Sequence, residues 1–332
     1  MTTFSIEHIC LLFATVLFFV GSYFAVAKMP AKLQQVMFII AAVLGSGGIF
    51  FRYAMNLGFE GNLRFDALFV QILQVCNFNF VLLPLMLIPK LELPRQYSVF
   101  FSMFAASTTL FSIPQSFAGK EWYDPEMLNF WFNHVFAIAL PIWMMAAGRL
   151  RPQRKYIWPV TACVFAYFTV VYVVSSLLMY YQLPTYGCSF SYVHDPKGMP
   201  IITQLYELIG GPYVHLLPLI VVLIGIFYLF SLPFNVSVKF VSEGAGGKVR
   251  KKYGGKQCSL RLPFGGFIQE GYVLVGWRDL ASGNEYAPGE TIRLGNENLT
   301  LVALWKSLSD KPADEQASPA STPEEEEPFF GN

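Results

Sequence analysis

The sequence predicts an all-α membrane bundle of about seven transmembrane helices, followed by a small C-terminal β-grasp-like domain and a disordered tail. Three observations carry this. The 332 residues are 54% hydrophobic and only 14% charged, the composition of a polytopic membrane protein. Seven stretches approach the roughly 20 apolar residues that cross a bilayer core of about 30 Å. After Phe234 the apolar runs shorten and alternate, with Gly, Pro and Asn between them, as strands and turns do.

The spans fall near 7–27, 34–56, 66–89, 96–117, 128–148, 156–182 and 204–233. No positive region precedes the first, so no cleaved signal peptide is expected; Glu7 and His8 open it at the interface. The second holds Gly45-Ser46-Gly47-Gly48, small residues that let helices approach closely, and ends at Arg52, which can snorkel. The third carries Gln71, Gln74, Cys76, Asn77 and Asn79. Such groups are costly in hydrocarbon and face a bundle interior or a wet cavity. At about 100° per residue, Gln71, Gln74 and Asn77 share one arc while Cys76 and Asn79 share another. A continuous helix polar on both sides belongs at the centre.

The fourth span has a stripe of Ser98, Ser102, Ala105, Thr109, Ser112 and Ser116, suited to helix packing. The fifth has Asn129, Asn133, His134 and Pro141, and the seventh has Glu207, Gly210-Gly211-Pro212 and His215. Proline and the Gly-Gly-Pro run should bend or interrupt their helices. His194 is expected exposed in a loop. Trp122, Tyr123, Trp131 and Trp158 fit an interfacial aromatic belt.

Loops after spans 1, 3 and 5 hold Lys28, Lys32, Lys90, Arg95, Arg149, Arg151, Arg154 and Lys155, against Arg52, Arg64, Lys120 and Lys197 in the others. Positive charge marks the cytoplasmic side, so the N-terminus is expected outside and the C-terminal part inside. Residues 236–306 form the β domain, with a thin core resting on Trp277, Trp305, Tyr272 and Leu262. Residues 307–332, with Glu324 to Glu327 consecutive, read as a disordered acidic tail.

A net charge of +1 gives no ground for nucleic-acid binding. Five scattered cysteines and four histidines show no metal-binding spacing, and no cofactor is expected. The chemistry candidates are therefore intramembrane. Cys76 is a nucleophile only if a base or cation helps its thiol ionise. Asn79, close by on the helix, could orient a thiolate or an acyl oxygen. His134 is the best base available. Gln74, Asn129, Asn133, Glu207 and His215 are the polar groups expected to contact a substrate.

These residues also carry a resemblance. Ser5-Ile6-Glu7-His8, Gln74-Val75-Cys76-Asn77 with Leu83-Pro84, Asn133-His134 with Pro141, and Pro184-Thr185-Tyr186-Gly187-Cys188 with Gly211-Pro212 resemble the pattern of the YwaF-type bacterial integral membrane family over residues 4–234. That family is related to a eukaryotic transmembrane phospholipid acyltransferase family. The resemblance implies a protein of the bacterial cell membrane in which Cys76 accepts an acyl group from a lipid and His134 is its base. The family has His where this chain has Gln74, and Gln cannot act as a base. Residues 236–306 resemble the Listeria–Bacteroides repeat at Val238-x-Phe240, Gly246-Gly247, Tyr253-Gly254, Leu262-Pro263, Gly276-Trp277, Pro288-Gly289 and Ala303-x-Trp305. This implies a non-catalytic module with a protein partner. Membrane lipids are the other expected partner. Two alternatives to acyl transfer stay open: a transporter or channel for a small solute, and a membrane sensor or scaffold.

Overall fold

The computed structural model describes residues 2–54, 65–113, 119–186, 188–194, 196 and 200–308. Arg64, Ser116, Gly187, Lys197, the Arg52 side chain and the expected tail beyond Leu308 lie outside these. The chain divides into two compact units, Met1–Asn235 and Val236–Asn332.

The first unit is helical: α1 Ile6–Lys28, α2 Ala31–Ala54, α3 Phe65–Gln71, α4 Val75–Leu82, α5 Glu92–Tyr97, α6 Met103–Phe111, α7 Pro125–Ala146, α8 Ile157–Tyr180, α9 Pro200–Ile209 and α10 Leu217–Ser231. Among the described residues, five segments are long and apolar enough to cross a membrane: Ile6–Lys28, Ala31–Phe51, Pro125–Ala146, Arg154–Tyr180 and Val214–Phe234. Their starts follow local chemistry. The Ser5 hydroxyl caps α1 by accepting from the His8 amide. At α7 the Asp124 carboxylate accepts from the Glu126 amide at 2.9 Å, with Pro125 at the first helical position.

The centre of this unit is α7. Buried residues make up 72% of its most apolar window, against 11–39% in the other four spans. It packs on α1, α2, α4 and α6, and small residues permit the closest approach. A Cβ on Gly48 of α2 would lie 1.9 Å from Asn133 Oδ1, and one on Gly45 would lie 2.6 Å from Leu83. Pro141 does not interrupt α7.

The expected third and fourth spans differ from simple helices. Residues 66–89 do not form one continuous central helix: α3 ends at Gln71, α4 begins at Val75, and a 3-10 turn at Leu83–Leu87 follows. The 96–117 stretch is realised as a helical run from Glu92 to Phe111, with a π turn at Ser98–Ser102 between α5 and α6. A π turn inserts an extra residue, so Ser98 and Ser102 leave the stripe that regular helical spacing assigns them. The Gly210-Gly211-Pro212 run does interrupt its segment. α9 stops at Ile209, and a 3-10 turn at Val214–Leu216 leads into α10.

The second unit is β-sheet: β1 Asn235–Val241, β2 Gly246–Gly247, β3 Lys252–Gly255, β4 Ser259–Arg261, β5 Phe267–Ile268, β6 Tyr272–Asp279, β7 Glu285–Tyr286, β8 Thr291–Arg293 and β9 Leu299–Ser307. Five strands form one sheet in the order β3-β1-β9-β6-β7, with β1 and β9 parallel and β6 antiparallel to β9. Trp277 and Leu262 are fully buried in its core with Val238 and Leu301. The Trp277 indole N–H donates to Pro263 O at 3.0 Å, and its ring meets Phe240 edge-on. Trp305 is only partly buried and Tyr272 is exposed, so the core rests on fewer aromatics than the sequence suggests.

Candidate functional site

The break between α3 and α4 organises the site. Gln74 is extended (φ −89°, ψ 128°) and starts α4 without a side-chain cap. A break inside a membrane unit leaves backbone groups that must be satisfied by protein. Here side chains from distant segments do so. The Ser191 hydroxyl accepts from the Val75 amide at 2.8 Å and donates to Leu73 O at 2.9 Å. The Tyr167 hydroxyl donates to the same Leu73 O at 3.0 Å. Asn77 Nδ2 reaches back to Gln71 O at 2.9 Å, and Gln71 Nε2 donates to Tyr186 O at 2.7 Å. Gln71 and Asn77 thus tie the break rather than line a second wet surface.

Ser191 sits on an unusual turn. Phe190, Ser191 and Tyr192 all have left-handed φ, at 47°, 54° and 62°. Each non-glycine residue held there costs roughly 1–2 kcal/mol. The turn persists because it is tied on several sides. The Tyr213 amide donates to Val193 O at 2.7 Å. His215 is fully buried, with Nε2 3.1 Å from Tyr192 O and Nδ1 3.1 Å from Gly211 O. His215 is therefore part of this clamp.

Cys76 is the second residue of α4. The first four amides of a helix have no acceptor within it. Here the Gln74 amide bonds Gln71 O and the Val75 amide bonds Ser191. The Cys76 amide faces its own sulfur, and with the Asn77 amide it stands in the first turn of α4, where a helix supplies no acceptor. The Cys76 sulfur is half-buried, 3.5 Å from Thr109 Oγ1. Thr109 donates its own proton to Ala105 O at 2.9 Å, so the thiol is the donor in that pair. Burial raises the Tyr192 phenol, and negative charge at Cys76 raises it further. The two groups are within electrostatic reach.

His134 lies at the buried centre of α7. Its Nδ1 is 2.7 Å from Phe130 O. A carbonyl only accepts, so Nδ1 carries the proton and Nε2 keeps its lone pair. Nε2 is buried and has no partner among the described residues. The His134 ring meets Phe80 of α4 edge-on at 5.0 Å. Phe80 is one turn beyond Cys76 on α4, about 6 Å along the axis. No hydrogen bond joins Cys76 to His134 among the described residues.

Among the described residues seven further buried side-chain atoms share the condition of His134 Nε2, and three of them matter here: Asn79 Oδ1, Ser98 Oγ and Ser102 Oγ. They belong to α4 and to the π turn, which pack against each other and against α7. An unmade bond at a buried polar group costs about 1–3 kcal/mol. Four such atoms on three mutually packed elements form a polar interior ready to accept or donate.

The other expected residues separate from this centre. Asn133 bonds Asn129 at 3.4 Å and fills the space above Gly48, a packing role. Gln74 is half-buried and Glu207 is exposed on α9. His194 is not simply exposed: its Nε2 pairs with Ser175 Oγ at 2.7 Å, and burial holds its imidazole below the usual histidine value. Trp131 is not a belt residue; it is buried and donates to Thr15 Oγ1 at 3.0 Å. His8 is fully buried at the start of α1. Its Nδ1 accepts from the Phe4 amide, and its Nε2 donates to Leu110 O at 2.8 Å. Ser191, Tyr167 and Tyr192 carry no sequence signal of their role, whereas Thr109 lay on the small-polar stripe.

Among the described residues, no group of three or more His, Cys, Asp or Glu is placed to hold a metal ion. A family model described as the TMEM164 family matches residues 3–231. Neither a curated protein nor a solved structure matches the chain. The family match covers the whole helical unit, and the chain belongs to the TMEM164 family.

Proposed function

We propose that this multi-pass member of the TMEM164 family exchanges acyl groups between membrane lipids, with Cys76 as nucleophile and His134 as base. One observation carries the reading: the N–H proton of a neutral His134 is engaged by Phe130 O, so its Nε2 lone pair is free and buried, and its ring packs on Phe80, one helical turn along α4 from Cys76. A general base needs that state. Hydrogen bonds at unliganded catalytic sites are often long and tighten with substrate, and the reading has the Cys76–His134 contact form when lipid enters.

His134 Nε2 takes the Cys76 proton, and the thiolate attacks the ester carbonyl of a phospholipid. The oxyanion meets the first-turn amides of Cys76 and Asn77 and the Asn79 side chain, donors of the kind that stabilise such intermediates. The C–O bond breaks, and the leaving lysolipid alkoxide takes the proton back from His134. A thioester remains on Cys76. His134 then takes the hydroxyl proton of a second lysolipid, whose oxygen attacks the thioester carbonyl; the C–S bond breaks and the Cys76 thiolate takes the proton back. Ser98 and Ser102 supply hydroxyls to the polar part of the lipid. Gln74 takes no part as a base, and its backbone serves the break.

The broken helix also favours a second reading, since discontinuous membrane helices occur at transporter substrate sites. The two readings part on Cys76. In liposomes holding two phospholipids of different chain length, acyl transfer predicts that wild-type protein scrambles the chains and that Cys76→Ala and His134→Ala do not. Full exchange by Cys76→Ala would sink the acyl-transfer reading. The β unit, residues 236–306, is proposed as a Listeria–Bacteroides-repeat-like module on the cytoplasmic side, non-catalytic and binding a protein partner.

A further inference from the structure

We infer that Ser191, on the left-handed turn Phe190–Tyr192, is a positioning residue for Cys76: it holds α3 and α4 apart so that the thiol stands at the start of a helix. The inference rests on Cys76 being the nucleophile proposed above. No residue between Gln71 and Val75 is itself a helix breaker, so the break needs ties, of which the Asn77–Gln71 bond is local and the Ser191 clamp is not. The stretch Ile72-Leu73-Gln74 contains no Gly or Pro. A continuous helix would use Leu73 O to accept from the Asn77 amide and Ile72 O to accept from the Cys76 amide. Leu73 O instead accepts from two hydroxyls, Ser191 at 2.9 Å and Tyr167 at 3.0 Å. The Ser191 oxygen also takes the Val75 amide at 2.8 Å. One side chain thus occupies the acceptor and the donor that would rejoin the two helices.

The cost of the turn supports a role beyond connection. Three successive non-glycine residues at positive φ are the kind of strain that persists where surrounding structure enforces it, and such strain clusters at functional sites. The enforcing groups are His215 on Tyr192 O and the Tyr213 amide on Val193 O. Glycine would adopt φ 54° at position 191 without penalty but would lack the hydroxyl. Ser191→Gly therefore separates the two accounts. A purely structural turn is eased by it, and a positioning clamp is disabled.

The test uses the full-length protein in lipid nanodiscs. Peptide mass spectrometry follows two quantities: acyl-adduct formation on Cys76, and the rate of N-ethylmaleimide labelling of Cys76 relative to Cys163 in the same molecules. The expected result for Ser191→Gly is adduct formation slower by on the order of tenfold or more, a shifted Cys76:Cys163 labelling ratio, and an unfolding temperature close to wild type, because relief of the left-handed turn offsets the lost hydroxyl bonds. Tyr167→Phe keeps the ring and removes the second hydroxyl. It should move the ratio in the same direction by less, and it decides the matter if the Ser191 variant does not fold. An unchanged ratio and an adduct rate within about twofold of wild type overturn the inference. Failure of the acyl-transfer reading looks different: wild type forms no adduct, while the labelling ratio still moves on Ser191→Gly.

Discussion

Replacing Gly48 with Ala tests how α7 is held at the centre of the bundle. The new Cβ would lie 1.9 Å from Asn133 Oδ1, 2.1 Å from Nδ2 and 2.3 Å from Cγ, so the amide must leave its place. Asn133 is buried and bonded to Asn129. Overpacking of this kind costs about 1–3 kcal/mol, and loss of the weak amide pair adds roughly 0.5–1.5 kcal/mol. Helix propensity returns about 1 kcal/mol, because Ala is the better helix former. The net expectation is a destabilisation of about 1–3 kcal/mol. In the double variant Gly48→Ala/Asn133→Ala, the methyl has space and the clash is absent. The double variant should therefore be more stable than the sum of the single changes by about 1–3 kcal/mol. Reversible denaturation in detergent micelles, run as a double-mutant cycle, measures this coupling. Effects that add to within about 0.5 kcal/mol would refute direct contact between these positions.

Other expectations follow from single contacts. Trp131→Phe keeps the ring but loses the indole bond to Thr15. It should cost about 1 kcal/mol, with Thr15→Val giving a similar loss and the pair of changes less than their sum. In the β unit, burial raises the Asp279 carboxyl, but the Ser282 hydroxyl and the Ala281 and Ser282 amides together hold it below the usual carboxylate value. A folded-state pKa below the unfolded one stabilises above the unfolded value and loses that contribution as pH falls through the folded one. Asp279→Asn should therefore expose the 279–284 turn to amide hydrogen exchange near pH 7. The gap from wild type should close as pH falls below about 4. On the orientation proposed here, a C-terminal tag should resist protease in intact cells and be cut after permeabilisation; cutting in intact cells would reverse the topology.

Composition and apolar length made the membrane bundle and the change to strands after Phe234 readable, because both depend on residue type summed over many positions. The Gly-Gly-Pro interruption was readable too, since those residues break helices by their own chemistry. The break at 72–74 was not. Ile72, Leu73 and Gln74 are ordinary helix residues, and what parts the helices comes from Tyr167 and Ser191, about a hundred residues away along the chain. Assuming a continuous helix gave Gln71 and Asn77 a face of their own, whereas both fold back on the break. The left-handed turn was hidden for a related reason. Phe-Ser-Tyr contains no Gly or Asn, and only contacts through His215 and Tyr213 enforce it. At the proposed site, Cys76, Asn79 and His134 stood out because polar groups in hydrocarbon are conspicuous. The burial of Trp131 and His8 was not legible because their partners, Thr15 and Leu110 O, cannot be read from their own segments.

The central claim is that Cys76 carries an acyl group. Its most direct test is the mass of the Cys76 peptide from protein purified with phospholipids of defined chain length, with and without hydroxylamine treatment. The account expects a mass increase equal to the supplied acyl chain on Cys76, removed by hydroxylamine as a thioester is, and strongly reduced in His134→Ala. An unmodified Cys76 in protein that still exchanges acyl chains between lipids would contradict it.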